Sequence, residues 1–375
     1  GDIGGVFAYN AGLDWAPISS LRFRAGVARA VRAPSLVDLY SEQSQNFATI
    51  ADPCSYRNVG AGSSTRAANC AAAGIPGGPP ASGGYDQVYT ATPEILSGGN
   101  PELTEETSDS LTVGLVYQPE FAPGLSFSAD YFDIDIDDVI TAPSAQQIMN
   151  ACYDAPDLNN QFCGLFQRWG AAGGPAFDGT PNHPESPYAL INGTLQQTLL
   201  NYASSTSRGV DFELGYSVNT SDGSRIKTRL IYTMMLQRDD FLDPANPNVA
   251  DAGLYELGDP KDAFNLNVDY EKGPLTLGYQ LRYLSKQVLN AYEDIYSLNG
   301  KPPQNADYAD IHWYPSVYYQ DVRVGYDFND SWNAYLGCDN ITDEIPPLGL
   351  TGTGEGSGIY DVRARYFYAG VKVQF

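Results

Sequence analysis

Apolar and polar residues alternate with a period of two along most of this chain, the pattern of strands with one greasy and one polar face. Phe7, Tyr9, Ala11, Leu13 and Trp15 share a face. Leu21, Phe23, Ala25 and Val27 share another, with Arg22 and Arg24 opposite. The same spacing returns over 111–117, 125–131, 210–216, 226–232, 264–270, 275–281, 322–328, 332–336 and 367–375. Bounded by Gly, Pro, Asn and Asp, these runs predict about eleven strands.

The connections alternate in length. Short turns are predicted at APISS, PEFAPG, NTSDGS, EKGP and FNDS. The segments 33–105, 140–197, 237–260, 287–315 and 340–359 are long and rich in Gly, Pro, Ser, Asn and Asp. Compact soluble domains rarely hold structureless connections beyond roughly 12–15 residues. Here one follows each hairpin, always at the same end of a meander. This predicts an all-β fold: an antiparallel transmembrane β-barrel with short periplasmic turns and long extracellular loops. Tyr117, Tyr216, Tyr270, Tyr326 and Phe328 precede short turns, and Trp15 and Trp332 flank others, as an interfacial aromatic girdle requires. A soluble β-sandwich also alternates, but it has no need of repeated long loops at one end. On the opposite face, Arg22, Arg24, Asp211, Glu213, Asp269, Arg282, Asp321 and Arg323 suit a polar lumen.

One strand breaks the rule. In LSFSADYFDIDIDDVI the apolar residues hold odd positions up to Tyr131, then move to Phe132, Ile134 and Ile136. Asp133, Asp135 and Asp137 take over the odd face. A bulge would cause this. So would a strand that outgrows an apolar band roughly 25 Å tall, because its outer face then meets water. We take the second account. The aspartates then form a solvated face, since carboxylates two apart on a strand lack the loop that wraps a calcium ion.

Among 375 residues, 21 Lys and Arg stand against 45 Asp and Glu, a net charge of −24. That excludes nucleic acid as a partner and a basic patch docking on an anionic leaflet. No run approaches the roughly 18 apolar residues of a spanning helix, but a barrel strand needs only about 9–11 alternating ones. Cys54 and Cys70 lie in one long segment, Cys152 and Cys163 in another, and Cys338 is alone. Two short-loop disulfides and an oxidising compartment are expected. With no CxxC and only His183 and His312, no metal site is expected. The first residues carry no basic n-region or apolar h-region, so any leader is expected to be removed or to lie upstream.

Six pieces, in order, carry a resemblance. VARAVRAPSLVDLYS, GGNPELTEETSDSLTVGL, LSFSADYFDIDIDDVI, NYASSTSRGVDFEL, LGCDNITDEIPP and YFYAGVKVQF resemble landmarks of the C-terminal half of the barrel of TonB-dependent outer-membrane transporters. Glu106 and Ser108 in the second piece lead into a strand, and Asn340, Asp343 and Pro346 in the fifth stand where that family has them. The resemblance covers nearly the whole chain. It implies the outer membrane of a Gram-negative bacterium, with outer-membrane lipid and lipopolysaccharide as surroundings. It also implies a closing strand whose Phe367, Ala369, Val371, Val373 and Phe375 are read by the barrel-assembly machinery. Independently of any family, a sheet in lipid cannot leave an edge unpaired, so its closing strand must be complete. Complete members have a 22-stranded barrel filled by an N-terminal plug. With about eleven strands and no plug-like segment, residues 1–375 are expected to be a partial barrel domain, roughly half of that barrel. Coupling to the TonB energy system would run through the missing plug.

No catalytic constellation is visible. Neither histidine has a nucleophile motif beside it, and no Gly-rich phosphate loop opens a helix. Neither an enzyme nor a cofactor is expected. The candidate ligand-binding chemistry lies in the loops: Phe166, Arg168 and Trp169 in one, and Tyr292, Tyr296, Tyr308, Trp313 and Tyr314 in another. Aromatic faces beside amides and carboxylates suit stacking and hydrogen bonding to an oligosaccharide or other polar small molecule. Rings packing on one another or on lipopolysaccharide would use the same residues. The resemblance implies active uptake of a scarce ligand. The acidic balance favours an oligosaccharide or other polar organic nutrient slightly over a ferric siderophore. A passive porin and an outer-membrane adhesin or barrel enzyme are the competing readings.

Overall fold

The computed structural model describes residues 5–175, 186–288, 313–346 and 359–374. Its strands are β1 (Tyr9–Ile18), β2 (Leu21–Arg32), β3 (Ser44–Phe47), β4 (Glu94–Gly98), β5 (Glu106–Tyr117), β6 (Leu125–Thr141), β7 (Leu195–Thr198) and β8 (Leu200–Asn219). They continue with β9 (Arg225–Phe241), β10 (Asp251–Ala252), β11 (Asp262–Lys272), β12 (Leu275–Leu284), β13 (Val317–Asn329), β14 (Trp332–Asp339) and β15 (Tyr366–Val373). Eleven of them pair in the order β1-β2-β5-β6-β8-β9-β11-β12-β13-β14-β15, an antiparallel meander, and β10 adds to β9. The short turns and long connections fall where the alternation places them.

Register carries one face across the whole sheet. Trp15, Phe23, Leu115, Ala129, Phe212, Tyr232, Phe264, Tyr283 and Tyr318 pair in succession from β1 to β13. Ring stacks tie neighbours along this row, at 5.7 Å for Trp15–Phe23 and 5.0 Å for Phe264–Tyr283. Leu13, Trp15, Phe328, Leu336, Phe367 and Val371 on the same face are more than half exposed. So large an apolar surface is matched to lipid rather than water. The other face is polar and internally paired: Arg24 with Asp130, Arg229 with Glu213 at 2.8 Å, and Lys227 with Glu271.

Pairing of β6 is unbroken through the face switch, from Tyr117↔Phe127 to Thr107↔Asp137 on one side and from Leu125↔Tyr216 to Ile136↔Ser205 on the other. No bulge is present there, in keeping with a strand that extends beyond the lipid. The aspartates, however, are not simply solvated. Arg208 Nε lies 2.6 Å from Asp133 Oδ1, its Nη2 lies 3.6 Å from Asp135, and the Thr206 hydroxyl donates to Asp135 at 2.7 Å. Arg29 donates to Asp109 at 2.9 Å on the same outer face. A belt of ion pairs thus borders the apolar rows. It was hidden from the sequence because Arg208 stands 75 residues from Asp133.

At the last strand, Phe367, Ala369, Val371 and Val373 pair with Cys338, Leu336, Ala334 and Trp332. Phe375 lies outside the described residues. The long connections depart from the expectation of irregular loops. Those after β2 and β6 hold α1 (Leu36–Tyr40), α2 (Arg66–Ala72) and α3 (Ala145–Asp154), and β3, β4 and β7 form a second sheet with β4 and β7 parallel.

Candidate functional site

The loops after β2 and β6 fold into one cap over the long-loop end, with a core of their own. Ile50, Ile75, Ile95, Ile148, Met149 and Leu195 are buried in it together. The local chemistry is legible. Ser144 accepts the Gln147 amide and the Gln147 side chain accepts the Ser144 amide, a capping box that starts α3. Ala145, Ile148, Met149 and Cys152 then recur at helical spacing and are buried. Disulfides Cys54–Cys70 and Cys152–Cys163 each close a short loop within one of the two segments.

Polar contacts join the two loops. Arg66 pairs with Asp154, both side chains almost wholly buried. The Asn69 amide donates to the carbonyls of Tyr153 and Ala155 at 2.9 and 2.8 Å. At the centre, Arg168 grips the fully buried Asp52 carboxylate with two hydrogen bonds of 2.7 and 2.8 Å. Its Nε donates to the Tyr153 hydroxyl at 2.7 Å. The hydroxyls of Tyr85 and Tyr89 donate to the same carboxylate at 2.7 and 3.0 Å. Burial alone would raise the Asp52 pKa. Arg168, Tyr85 and the Cys54 amide more than offset it, and the carboxyl sits below its ordinary range. Burial next to that carboxylate pushes the Tyr85 and Tyr89 phenols well up, so they remain donors.

Phe166 and Arg168 are therefore inside the cap: Phe166 is in its core, and the Arg168 guanidinium lies over the rings of Tyr153 and Phe166. Trp169 is half-buried, with its amide donating to the Ala189 carbonyl at 2.9 Å. Trp313 and Tyr314 belong to a different group above β12 and β13. Trp313 receives Lys286 Nζ 3.9 Å from its ring centre and the edge of Tyr255, and Tyr314 packs on the Val317, Tyr319 and Tyr360 cluster. Tyr292, Tyr296 and Tyr308 lie outside the described residues. Sequence reasoning missed Asp52, Tyr85 and Tyr89. The only local signal was Asp-Pro-Cys at 52–54, where the Cys54 amide closes a short turn onto Asp52 Oδ1 at 3.0 Å.

Among the described residues, clefts open at two places on the cap. One, of about 500 Å³, is lined by Phe47, Gln87, Tyr89, Thr92, Glu94 and Asn192 among others. A second, of about 710 Å³, lies where the cap meets the strand ends, bounded by Gln43, Glu102, Asp138, Gln161, Gln196 and Asn201 among others. Among the described residues neither has Lys or Arg in its lining. Among the described residues no cluster of three or more His, Cys, Asp or Glu side chains is placed to hold a metal ion.

The family described as TonB dependent receptor-like, beta-barrel, matches residues 2–341. No curated protein matches the chain. Among solved structures, a mutant of the ferric enterobactin receptor PfeA from Pseudomonas aeruginosa is similar at 16% identity and a TM-score of 0.57, covering 100% of this chain and 41% of that one. The siderophore receptor PirA from Acinetobacter baumannii is similar at 16% identity and a TM-score of 0.56, covering 98% of this chain and 41% of that one. The chain thus spans about two-fifths of the receptors whose fold it shares.

Proposed function

Because this chain belongs to the TonB-dependent receptor-like β-barrel family, we propose that it forms part of an outer-membrane active transporter. Its long-loop side captures a scarce nutrient, and a plug elsewhere in the protein, coupled to TonB, drives release and import. Family members are receptors and transporters of the Gram-negative outer membrane rather than enzymes. The remaining strands and the plug belong to parts of the protein beyond residues 1–375, and Phe367 to Phe375 serve the barrel-assembly machinery.

The observation that carries this reading is the cap. Two long loops share a core, two disulfides and a buried ion pair. Loops that merely connect strands need no such bracing, whereas a stiffened surface loses less freedom when it captures a ligand. Electrostatics favour an uncharged polar ligand, such as an oligosaccharide, over an anionic ferric chelate. Arg57, Arg66 and Arg168 are each neutralised by Asp86, Asp154 and Asp52. Among the described residues the two clefts present carboxylates without a cation. Trp169 of one loop, and Tyr292, Tyr296, Tyr308, Trp313 and Tyr314 of the 287–315 segment, supply aromatic contact area, while Phe166 and Arg168 support the cap from within.

Growth tests the reading. A strain lacking the gene should lose growth on limiting neutral oligosaccharide and recover it with the full-length gene only when the TonB system is intact. Rescue that persists without TonB would make the protein a passive porin. Rescue on a ferric catecholate instead would move the ligand to the siderophore class.

A further inference from the structure

Inside the cap, charged and amide side chains are consumed by folding: Arg66, Arg168, Asn69, Asn160 and Asp52 all have protein partners. The cleft of about 710 Å³ between cap and strand ends differs. Gln43 precedes β3, Glu102 precedes β5, Asp138 lies in β6, Gln161 opens the short helix after α3, and Gln196 lies in β7. Five separate segments thus bring three amides and two carboxylates to one concavity. All five side chains are exposed there, and none has a hydrogen bond or ion pair within the described protein. Asp138 is held there at φ 57°, a left-handed conformation that a non-glycine residue adopts at a cost.

We propose that this cleft is a capture subsite for an uncharged polyhydroxylated ligand, and that Gln43, Glu102, Asp138, Gln161 and Gln196 hold its hydroxyl groups. The proposal rests on the capture reading above and deepens it. An amide offers donors and an acceptor, a carboxylate offers acceptors only, and a hydroxyl both donates and accepts, so a polyol complements the whole set. An anionic chelate meets two carboxylates with no neutralising cation. The volume falls within the roughly 300–1,000 Å³ of small-molecule sites. No aromatic ring is among the described lining residues, so the sugar is gripped there by its hydroxyl edge rather than stacked.

The test uses the full-length protein in detergent, titrated calorimetrically with maltohexaose, cellohexaose and xylohexaose. At least one should bind. The Gln161→Ala, Gln196→Ala double variant should weaken it about ten- to hundredfold, the loss of two or three net hydrogen bonds. Gln87→Ala in the other cleft should leave it unchanged. Unchanged affinity in the double variant overturns the subsite while leaving TonB-dependent capture standing. Failure of all three sugars to bind overturns the ligand class. Loss of TonB dependence in growth overturns the capture reading, whatever the cleft variants do. Trypsin resistance of the cap in the double variant guards against misfolding, and Gln161→Glu serves as a second variant if the double one is cleaved.

Discussion

Arg168 and Asp52 stand 116 residues apart in the chain, yet the guanidinium holds both carboxylate oxygens at 2.7 and 2.8 Å in the centre of the cap. This pair joins the loop after β2 to the loop after β6. It makes the two largest described connections one body.

Replacing Arg168 with Met leaves the Asp52 charge buried without its partner, at a cost of about 3–5 kcal/mol. The loss should be confined to the cap. Hydrogen exchange of 50–90 and 145–175 in the full-length protein should rise, while strand amides of the meander stay protected. The double variant Arg168→Met, Asp52→Asn should lose less than the sum of the single changes. Simple additivity would mean that the two side chains do not interact.

The same pair makes the cap acid-sensitive. The Asp52 carboxyl titrates below its unfolded value of about 3.9 because Arg168 and Tyr85 favour the charged form. Its contribution is complete above that unfolded value and is lost as pH falls through it towards the folded pKa. Cap protection should be flat from pH 8 to about pH 5 and fall below about pH 4. Asp52→Asn should flatten that acid limb. Asp86 is also held low by Arg57, but this pair is too exposed to add much.

Reduction should loosen the cap and leave the barrel strands in place. Sequence separations of 16 and 11 residues give about 3 kcal/mol for each disulfide in the chain-entropy model. Cys54→Ser and Cys152→Ser should each raise trypsin cleavage of the cap, and the double variant more so. Cleavage insensitive to dithiothreitol would show that the apolar core alone holds the cap.

At the turn between β5 and β6, Gly124 sits at φ 88°, and a Cβ there would lie 2.0 Å from the Ser217 carbonyl oxygen. Gly124→Ala therefore meets both a strained backbone and an immovable neighbour. Gly223, at φ 78°, has open space around it. Heat-modifiable migration on SDS gels should show a much smaller folded fraction for Gly124→Ala than for Gly223→Ala. Equal fractions would mean that the turn rearranges freely.

Much of the meander was legible because a strand in lipid must declare itself locally. Leu111, Val113, Leu115 and Tyr117 face lipid while Thr112 and Gly114 do not, and a period of two cannot be read otherwise. The cap was not legible in that way. Its helices are short and lie in segments read as irregular loops, α3 included, although Ser144 and Gln147 form the capping box that starts it. Phe166 and Arg168 look like surface chemistry in CGLFQRWG and prove to be interior, because Asp52, which pairs with Arg168, and part of the apolar core around Phe166 lie in another loop.

The chain by itself determined the eleven strands of the meander, their faces, the ends to which short and long connections belong, and which cysteines share a loop. These follow from steric periodicity and solvent matching, which act between near neighbours. Only the tertiary structure decided that two loops make one cap, that Asp133 and Asp135 answer to Arg208, and that unpartnered amides from distant segments meet in a cleft. Those outcomes depend on which surfaces touch across a hundred residues, and short-range pattern carries no record of that.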